Sequence, residues 1–249
     1  MLLRADGDGV VAIGQASHAW VSGQLARAWG NATVGDVAHR EATCLAALQH
    51  DIGMAQWDLA PELNPETGLP QSFMEMELDT HLALWSAAPQ KLFTQSRLAA
   101  LLVSLHGTAL YERRNLERLA PEAADAVRGY LAAQRALQER LATDTGVGWD
   151  ALRRLQRQLF AWDWLSLAVC LDWAPASLPG VPAADGEVEL RLEPGPGVSV
   201  VRPWPFDADA VEVRCEGRRL RERASTTAEL HAALERAPRV ELRFELVPP

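Results

Sequence analysis

The sequence predicts a mainly α fold, a helical bundle that carries a small antiparallel β subdomain. Three observations lead to this prediction. Apolar residues recur at helical spacing through the middle of the chain, from about residue 15 to residue 173. Short runs that alternate between apolar and polar residues follow Pro182, as is typical of strands. An Asp-Gly-Asp-Gly sequence between two apolar stretches predicts a hairpin near the N-terminus.

These patterns divide the chain into two predicted parts. Residues 15–178 form the helical domain, and residues 1–14 and 183–249 form the β subdomain that packs on it. A lone hairpin is only marginally stable in water, so we expect residues 1–14 to join the C-terminal strands. Pro175 to Pro182 is rich in Pro and lacks alternation, which predicts a linker between the two parts.

Capping residues and breakers give approximate bounds for the elements. Ser17, Asp36, Ser96 and Pro121 are suitable helix starts, and the Gly residues at 30, 146 and 148 are suitable stops. The predicted helices cover about residues 17–29, 36–50, 78–90, 96–114, 121–144, 149–173 and 227–236. The predicted strands cover residues 188–192, 198–201, 211–214 and 240–244. Residues 57–77 have no sustained period, and such a long irregular connection suits a wall or lid of a pocket.

Composition excludes several classes of protein. A net charge of −9 argues against general nucleic-acid binding, which requires a basic surface. No stretch approaches the roughly 20 apolar residues of a membrane span. Together with an N-terminal stretch that has early charge and no long apolar segment, this predicts a cytoplasmic protein. The three cysteines are scattered singly, which predicts reduced, structural thiols. A homodimer is compatible with the sequence.

The most informative stretch is EATCLAALQHDIGMAQWD, from Glu41 to Asp58. Its first half has helical composition and Gly53 offers a stop, so His50 and Asp51 fall at the last turn of a helix. Adjacent residues within a regular helix point about 100° apart, whereas at a fraying end they can face one ion. Imidazole and carboxylate ligands suit Zn, Fe or Mn. The stretch therefore predicts a site for a divalent transition metal.

His50-Asp51-Ile52-Gly53 resembles the HDIG signature of the HD-domain superfamily. Its members are helical metal-dependent phosphohydrolases, and their ligands run in the order His, His-Asp, Asp. The resemblance implies that His18 and Asp163 complete the set around His50 and Asp51, and that His81 and His106 hold a second ion. It also implies an HD-like bundle. The segment SLHGTALYERR resembles an uncharacterised bacterial family of unknown function.

Asp163 also stands out without the resemblance. It lies in the apolar run Leu159 to Leu165, where an ionised carboxylate costs several kcal/mol unless it is paired or bound to a metal. A histidine, an arginine or an exposed face would satisfy it too, and Asp172 is the fallback ligand. His106, inside an apolar helix, could be a core histidine, but its place in the ordered set of ligands favours a metal-binding role. Asp58 could be a ligand or base, but a role in capping or a turn is favoured.

The resemblance implies a metal-dependent phosphohydrolase that acts on a small phosphorylated substrate, a phosphoester or nucleotide, through one or two ions. Asp51 is the expected catalytic residue. Arg113, seven residues after His106 and nearly on the same helix face, is the expected phosphate clamp, or merely the solvated end of a helix. Met54 replaces the lysine common after HDIG in cyclic-dinucleotide enzymes, which disfavours that substrate. The alternatives are a diiron oxygenase and a non-catalytic sensory or binding module.

Overall fold

A seven-stranded sheet, curled into a half barrel, lies against the long helices of the protein, and the computed structural model describes all of residues 1–249. The strands of this sheet are β1 (Leu2–Asp6), β2 (Gly9–Ile13), β5 (Ala176–Pro182), β6 (Glu187–Pro194), β7 (Ser199–Arg202), β8 (Val211–Leu220) and β9 (Arg239–Val247). The short strands β3 (Leu63–Asn64) and β4 (Leu69–Pro70) form a separate pair.

Eight α-helices accompany the strands. They are α1 (Gln15–Ala28), α2 (Arg40–Gln49), α3 (Ala55–Leu59), α4 (Leu78–Ala87), α5 (Arg97–Glu112), α6 (Pro121–Thr145), α7 (Trp149–Leu171) and α8 (Thr227–Arg236). None of them combines the length and the apolar composition that crossing a membrane requires.

The strand order of the large sheet is β1-β2-β8-β9-β7-β6-β5. All neighbours are antiparallel except β7 and β9, which are parallel. Strand β2 pairs with β8 through Val10 to Ala12, so the N-terminal hairpin extends the C-terminal strands. One chain end thereby supplies two strands to a sheet built mainly from the other.

The predicted fold class, a mainly α HD-like bundle with a small β subdomain, is wrong. Helices account for 49% of the residues and strands for 22%, which is a mixed fold. The alternation in β8 places Val213 and Cys215 on a buried face and Glu212 and Arg214 on an exposed one. That buried face belongs to the same apolar core as the helices. The division of the chain into residues 15–178 against 1–14 and 183–249 stays a prediction.

The predicted linker at Pro175 to Pro182 is a strand. Strand β5 pairs with β6 at one end of the sheet, and its register shifts between Leu178 and Val181. Proline lacks a backbone N–H, so strands that contain it are confined to sheet edges and irregular positions. Pro179 and Gly180 therefore led to the prediction of a linker where the chain forms an edge strand. The pairing of this strand with β6 is interrupted at those two residues.

Helix ends follow local chemistry in most places. The Ser96 hydroxyl accepts a hydrogen bond from the Ala99 N–H at the start of α5, and Pro121 occupies the first turn of α6. Helix α1 begins at Gln15 rather than at the predicted cap Ser17, since the chain leaves β2 through Gly14 directly into the helix. Helix α2 begins after His39, which adopts a left-handed conformation, rather than at Asp36.

The packing of α1 on α2 depends on a glycine. A Cβ atom at Gly23 would lie 2.9 Å from the Leu48 side chain and 3.0 Å from its Cα. The absence of that atom lets the two helix backbones approach closely. His18 lies five residues before Gly23 on α1, and His50 lies two residues after Leu48 at the end of α2, so this approach helps to bring the two histidines together.

Candidate metal centre

Four helical elements meet around a buried group of histidines and aspartates. His18 lies in the first turn of α1, His50 and Asp51 directly follow α2, His106 lies within α5, and Asp163 lies within α7. Their exposed fractions range from 1% to 7%. His50 is the first residue after α2 and Asp51 has left helical geometry, with φ −97° and ψ 18°. The end of the helix thus lets two adjacent side chains converge, as the sequence argument expected.

The side chains lie within ligand distances of one another. Nε2 of His18 is 2.6 Å from Oδ2 of Asp51, and Nε2 of His50 is 3.6 Å from the same oxygen. Nε2 of His50 is also 3.2 Å from Oδ1 of Asp163, and Nε2 of His106 is 3.5 Å from Oδ2 of Asp163. One ligand atom from each of His18, His50 and Asp163 falls within a 4.8 Å group, and these residues could hold a metal ion.

Hydrogen bonds on the far side fix the two histidine rings. Nδ1 of His18 lies 2.9 Å from the Ser166 hydroxyl, which in turn donates to the Asp163 carbonyl at 2.8 Å. Nδ1 of His50 lies 2.8 Å from the Ala47 carbonyl. When Nδ1 carries the proton, Nε2 keeps its lone pair, which is the arrangement usual for histidines that bind metals. Both Nε2 atoms are therefore oriented toward the carboxylates in a form suited to an ion.

The electrostatics of the group favour a cation. Burial disfavours a charged His50, but the carboxylates of Asp51 and Asp163 outweigh it and raise the pKa of His50 to about 9. Burial would likewise raise the pKa of each carboxyl, but the charge of His50 holds the pKa values of Asp51 and Asp163 below their usual range. Burial lowers the pKa of His106 to about 4. Two ionised carboxylates in a buried site require a compensating positive charge, which is either the proton held by His50 or a bound cation that replaces this proton on Nε2.

Buried polar atoms without hydrogen-bond partners also support a site for a cation. Nε2 of His50 makes no well-directed hydrogen bond although Oδ1 of Asp163 lies 3.2 Å away, and Nδ1 of His106 is buried and has no hydrogen-bond partner. Buried polar atoms nearly always have one, so such atoms call for a proton, a water molecule or an ion. The donor set, imidazole nitrogens and carboxylate oxygens, suits a divalent transition metal.

His81, a predicted ligand of a second ion, has both ring nitrogens engaged. Nδ1 contacts the Tyr111 hydroxyl, and Nε2 accepts a hydrogen bond from Nε1 of Trp85 at 3.0 Å. Burial lowers the pKa of His81 to about 4. It lines the cleft above the cluster but lies outside the group of ligand atoms.

The predicted clamp Arg113 does not line the cleft, whereas its neighbour Arg114 does. Arg113 keeps helical backbone angles and, as its spacing from His106 predicts, lies on the side of α5 that faces Phe160, the ring that His106 also contacts. The Arg113 guanidinium lies 4.0 Å from the centre of the Phe160 ring. Helical spacing from His106 identified the end of α5 that lies near the cleft. It did not identify Arg114, which follows the helix and lines the cleft.

A cleft of about 360 Å³ opens above the cluster. Phe73, Met74 and Met76 form part of its wall, and they belong to the irregular segment expected there from the sequence. The other two acidic candidates lie elsewhere: Asp58 accepts a hydrogen bond from the Gln15 N–H, and Asp172 follows α7 and pairs with Arg4.

Sequence reasoning missed three residues that complete the site: Ser166 beside His18, Tyr111 beside His81, and Arg114. Ser166 lies three residues after Asp163, on the same side of α7, and that spacing was a signal that could have found it. No local pattern distinguished Tyr111 from an ordinary core aromatic.

Comparison with known proteins gives a family but no activity. A family model described as "Protein of unknown function (DUF3891)" matches residues 1–222. No curated protein and no solved structure is detectably similar to the chain. Assignment to the HD-domain superfamily is wrong, because the matching family is a different one and the seven-stranded curled sheet is not an HD-type helical bundle. The match also lends no support to a hydrolase.

Proposed function

Since the chain belongs to the DUF3891 family of unknown function, we propose a function from its own site: metal-dependent hydrolysis of a small phosphoester. The convergence of His18, His50 and Asp163, with one ligand atom each inside a buried 4.8 Å group, carries this proposal. His18 and Asp163 of this group, together with Asp51 and His106, form the floor of a cleft that a small molecule can enter.

We propose one ion of Zn, Mn or Fe, held by His18, His50 and Asp163, with Asp51, which lies outside the 4.8 Å group, as the fourth ligand. Asp51 Oδ2 already faces Nε2 of both His18 and His50. His81 does not favour a second ion, because both of its nitrogens are engaged by Tyr111 and Trp85. A single site with two histidines and two carboxylates is a chemically suitable set for such an ion.

The residues of the chain have distinct roles in this proposal. Ser166 and the Ala47 carbonyl hold the rings of His18 and His50 so that their Nε2 atoms face the carboxylates of the cluster. His106 stays neutral near pH 7 and faces Oδ2 of Asp163, limiting repulsion beneath the ion. A bound divalent ion supplies Lewis acidity toward a phosphoryl oxygen and acidifies water at neutral pH. The apolar wall of the cleft keeps bulk water from the reacting group.

Metal analysis and a hydrolysis assay test the proposal together. Protein purified without chelator and reconstituted with Zn, Mn or Fe should hold about one ion per chain and hydrolyse p-nitrophenyl phosphate or its bis ester. His50→Ala should lose both properties, because it removes a ligand. His39→Ala is the matched control, since His39 is exposed at the start of α2 and lies outside the cluster. Metal below about a tenth of an ion per chain would refute the centre.

Two alternative functions would use the same metal centre. Assays of the same metal-loaded protein distinguish them from hydrolysis. Oxygen consumption by the Fe(II)-loaded protein, with no phosphoester turnover, would favour a diiron oxygenase over hydrolysis. Stoichiometric metal without turnover on any phosphoester, and without oxygen consumption, would favour a sensory or binding module. We rank both below hydrolysis, since the first needs a second ion and the second leaves the cleft above the cluster without a role.

A further inference from the structure

The cleft above the metal centre has two chemically different parts. Its floor is the polar cluster, and its wall is apolar. The apolar lining residues are Phe73, Met74, Met76, Leu78, Leu110, Leu167 and Trp85. At about 360 Å³ the cleft lies at the small end of the range for ligand sites, so its occupant is a small molecule.

The wall keeps apolar side chains exposed at the cleft. Met74 is 72% exposed although it belongs to a segment fixed by several hydrogen bonds. The Asn64 amide donates to the Glu75 carboxylate at 2.7 Å, and the Ser72 N–H donates to the same carboxylate at 2.7 Å. A ligand that covers an exposed thioether gains the free energy of removing apolar surface from water. Methionine also adapts its shape to irregular apolar groups.

Arg114 is the only lysine or arginine in the lining, and its side chain forms no salt bridge or hydrogen bond. Its guanidinium lies 4.9 Å from the centre of the Tyr111 ring. A guanidinium without a carboxylate partner is free to bind a phosphate through two hydrogen bonds. One such cation matches one phosphoryl group, whereas a nucleoside polyphosphate would bring additional negative charge into a cleft floored by Asp51 and Asp163.

The wall offers little to a hydroxyl-rich substrate. Apart from the floor and Arg114, its polar side chains are Gln15 and His81, and both nitrogens of His81 are occupied. Oε1 of Gln15 is buried and unpartnered, so this one amide supplies an acceptor oxygen and the donors of its Nε2. A single amide cannot replace the water lost by several sugar hydroxyls, and burying unpaired hydroxyls costs free energy.

We propose that the cleft binds a phosphate monoester whose organic group is an apolar alkyl or aryl chain, with that group on the wall of Phe73, Met74 and Met76 and the phosphoryl group against Arg114. This inference rests on the proposed function for the position of the phosphoryl group at the floor. It extends that function by choosing a substrate class and by assigning phosphate binding to Arg114 instead of Arg113.

Binding of phosphonates, which are not hydrolysed, tests the inference by calorimetry on the metal-loaded protein. Affinity should rise about two- to fourfold per methylene from methylphosphonate through butyl- to hexylphosphonate, because each methylene covers apolar wall. Met74→Ser, at an exposed position where folding is tolerant, should reduce that dependence on chain length. A dihydroxypropyl phosphonate should bind more weakly than the butyl compound.

Arg114→Gln should weaken every member of the series by about the same factor, roughly tenfold for a charge-assisted contact near the surface. Arg113→Gln is the matched control and should leave affinity unchanged, since that guanidinium stacks on Phe160. Equal affinity for methyl- and hexylphosphonate, or an Arg114→Gln variant that binds as wild type does, would overturn the inference. If the protein hydrolyses phosphoesters but phosphonate affinity does not change with chain length, only the inference is refuted. If affinity rises with chain length but no ester is turned over, only the proposed function is refuted.

Discussion

Charged side chains gather in two regions of this protein, the buried cluster and the outer face of the sheet, with opposite consequences. In the cluster, His18 and Asp51 are 2.6 Å apart and nearly inaccessible to solvent. On the outer face of β8 and β9, Arg243 lies 3.3 Å from Glu212 and 2.5 Å from Glu241, yet its side chain is 57% exposed. Distances are similar, so burial is what distinguishes the two regions.

Burial determines what each group can do. Water and salt screen the outer pairs, so each contributes little to the free energy of unfolding and can exchange partners freely. In the cluster, water cannot compensate the two carboxylates, so their charges must be met by a proton or an ion. The buried group is therefore a candidate site and the outer face is a solvated surface. Four predictions test this difference, from the largest expected effect to the smallest.

Asp163→Asn keeps the shape of the side chain but removes its charge. We expect metal affinity to fall by more than about a hundredfold and hydrolysis to be lost with it, because a ligand is lost from the centre. Competition with a chromophoric chelator measures the affinity. Asp172→Asn is the control: it lies after the same helix, 78% exposed, in a left-handed conformation that asparagine tolerates. Equal affinities for the two variants would exclude Asp163 from the centre.

The position of Asp163 could be predicted because its requirement is local: a carboxylate in an apolar helix must find a partner. The convergence of His50 and Asp51 followed similarly from the end of a helix. Joining of the N-terminal hairpin to the C-terminal strands was expected because a lone hairpin is marginal, and β2 does pair with β8. The full sheet could not be predicted, since the pairing of β5 is irregular around Pro179 and Gly180, and no local pattern encodes the parallel pairing of β7 with β9. Arg114 was missed because it lies beyond the last residue of α5, where helical spacing no longer determines direction.

His81 predicts a pH dependence of stability that the exposed face lacks. Burial lowers the pKa of His81 from 6.5 to about 4, with Asp51 opposing and Arg114 reinforcing the shift. The folded protein then holds fewer protons than the unfolded one between these values, so stability present above pH 6.5 is lost as pH falls toward 4. We expect the free energy of unfolding to fall by about 2 kcal/mol over this range. The full pKa shift would give a larger fall, but His81 is partly exposed to solvent.

His81→Gln removes one titrating group and should reduce this dependence, while His106, whose pKa burial also lowers to about 4, keeps its own contribution. The variant also loses contacts with Tyr111 and Trp85 at every pH. Urea unfolding of both proteins at pH 7 and at pH 4.5 separates the two effects, because only titration changes the difference between the pH values. Parallel losses in the two proteins would show that His81 does not titrate as proposed.

Gly23→Ala tests whether helix packing positions the cluster. The new Cβ would lie 2.9 Å from the Leu48 side chain, so α1 and α2 must separate slightly. Overpacking costs about 1–3 kcal/mol, of which the better helix propensity of alanine offsets up to about 1. We expect a net loss of about 1 kcal/mol together with weaker metal binding, because His18 and His50 move apart. Gly129→Ala is the control, because Gly129 lies in α6 with open space around it, and this variant should keep both its stability and its metal affinity.

The smallest effect should come from the outer face. Arg243→Ala breaks ion pairs with Glu212 and Glu241, but both partners stay in water after the change. The expected loss is within about 0.5 kcal/mol, and it should shrink further as salt is raised because the pairs are screened. Chemical unfolding at low and high ionic strength measures both quantities. A loss above about 2 kcal/mol that persists in 1 M salt would mean that these charges are as tightly coupled as those of the cluster, and burial would no longer explain the difference between the two regions.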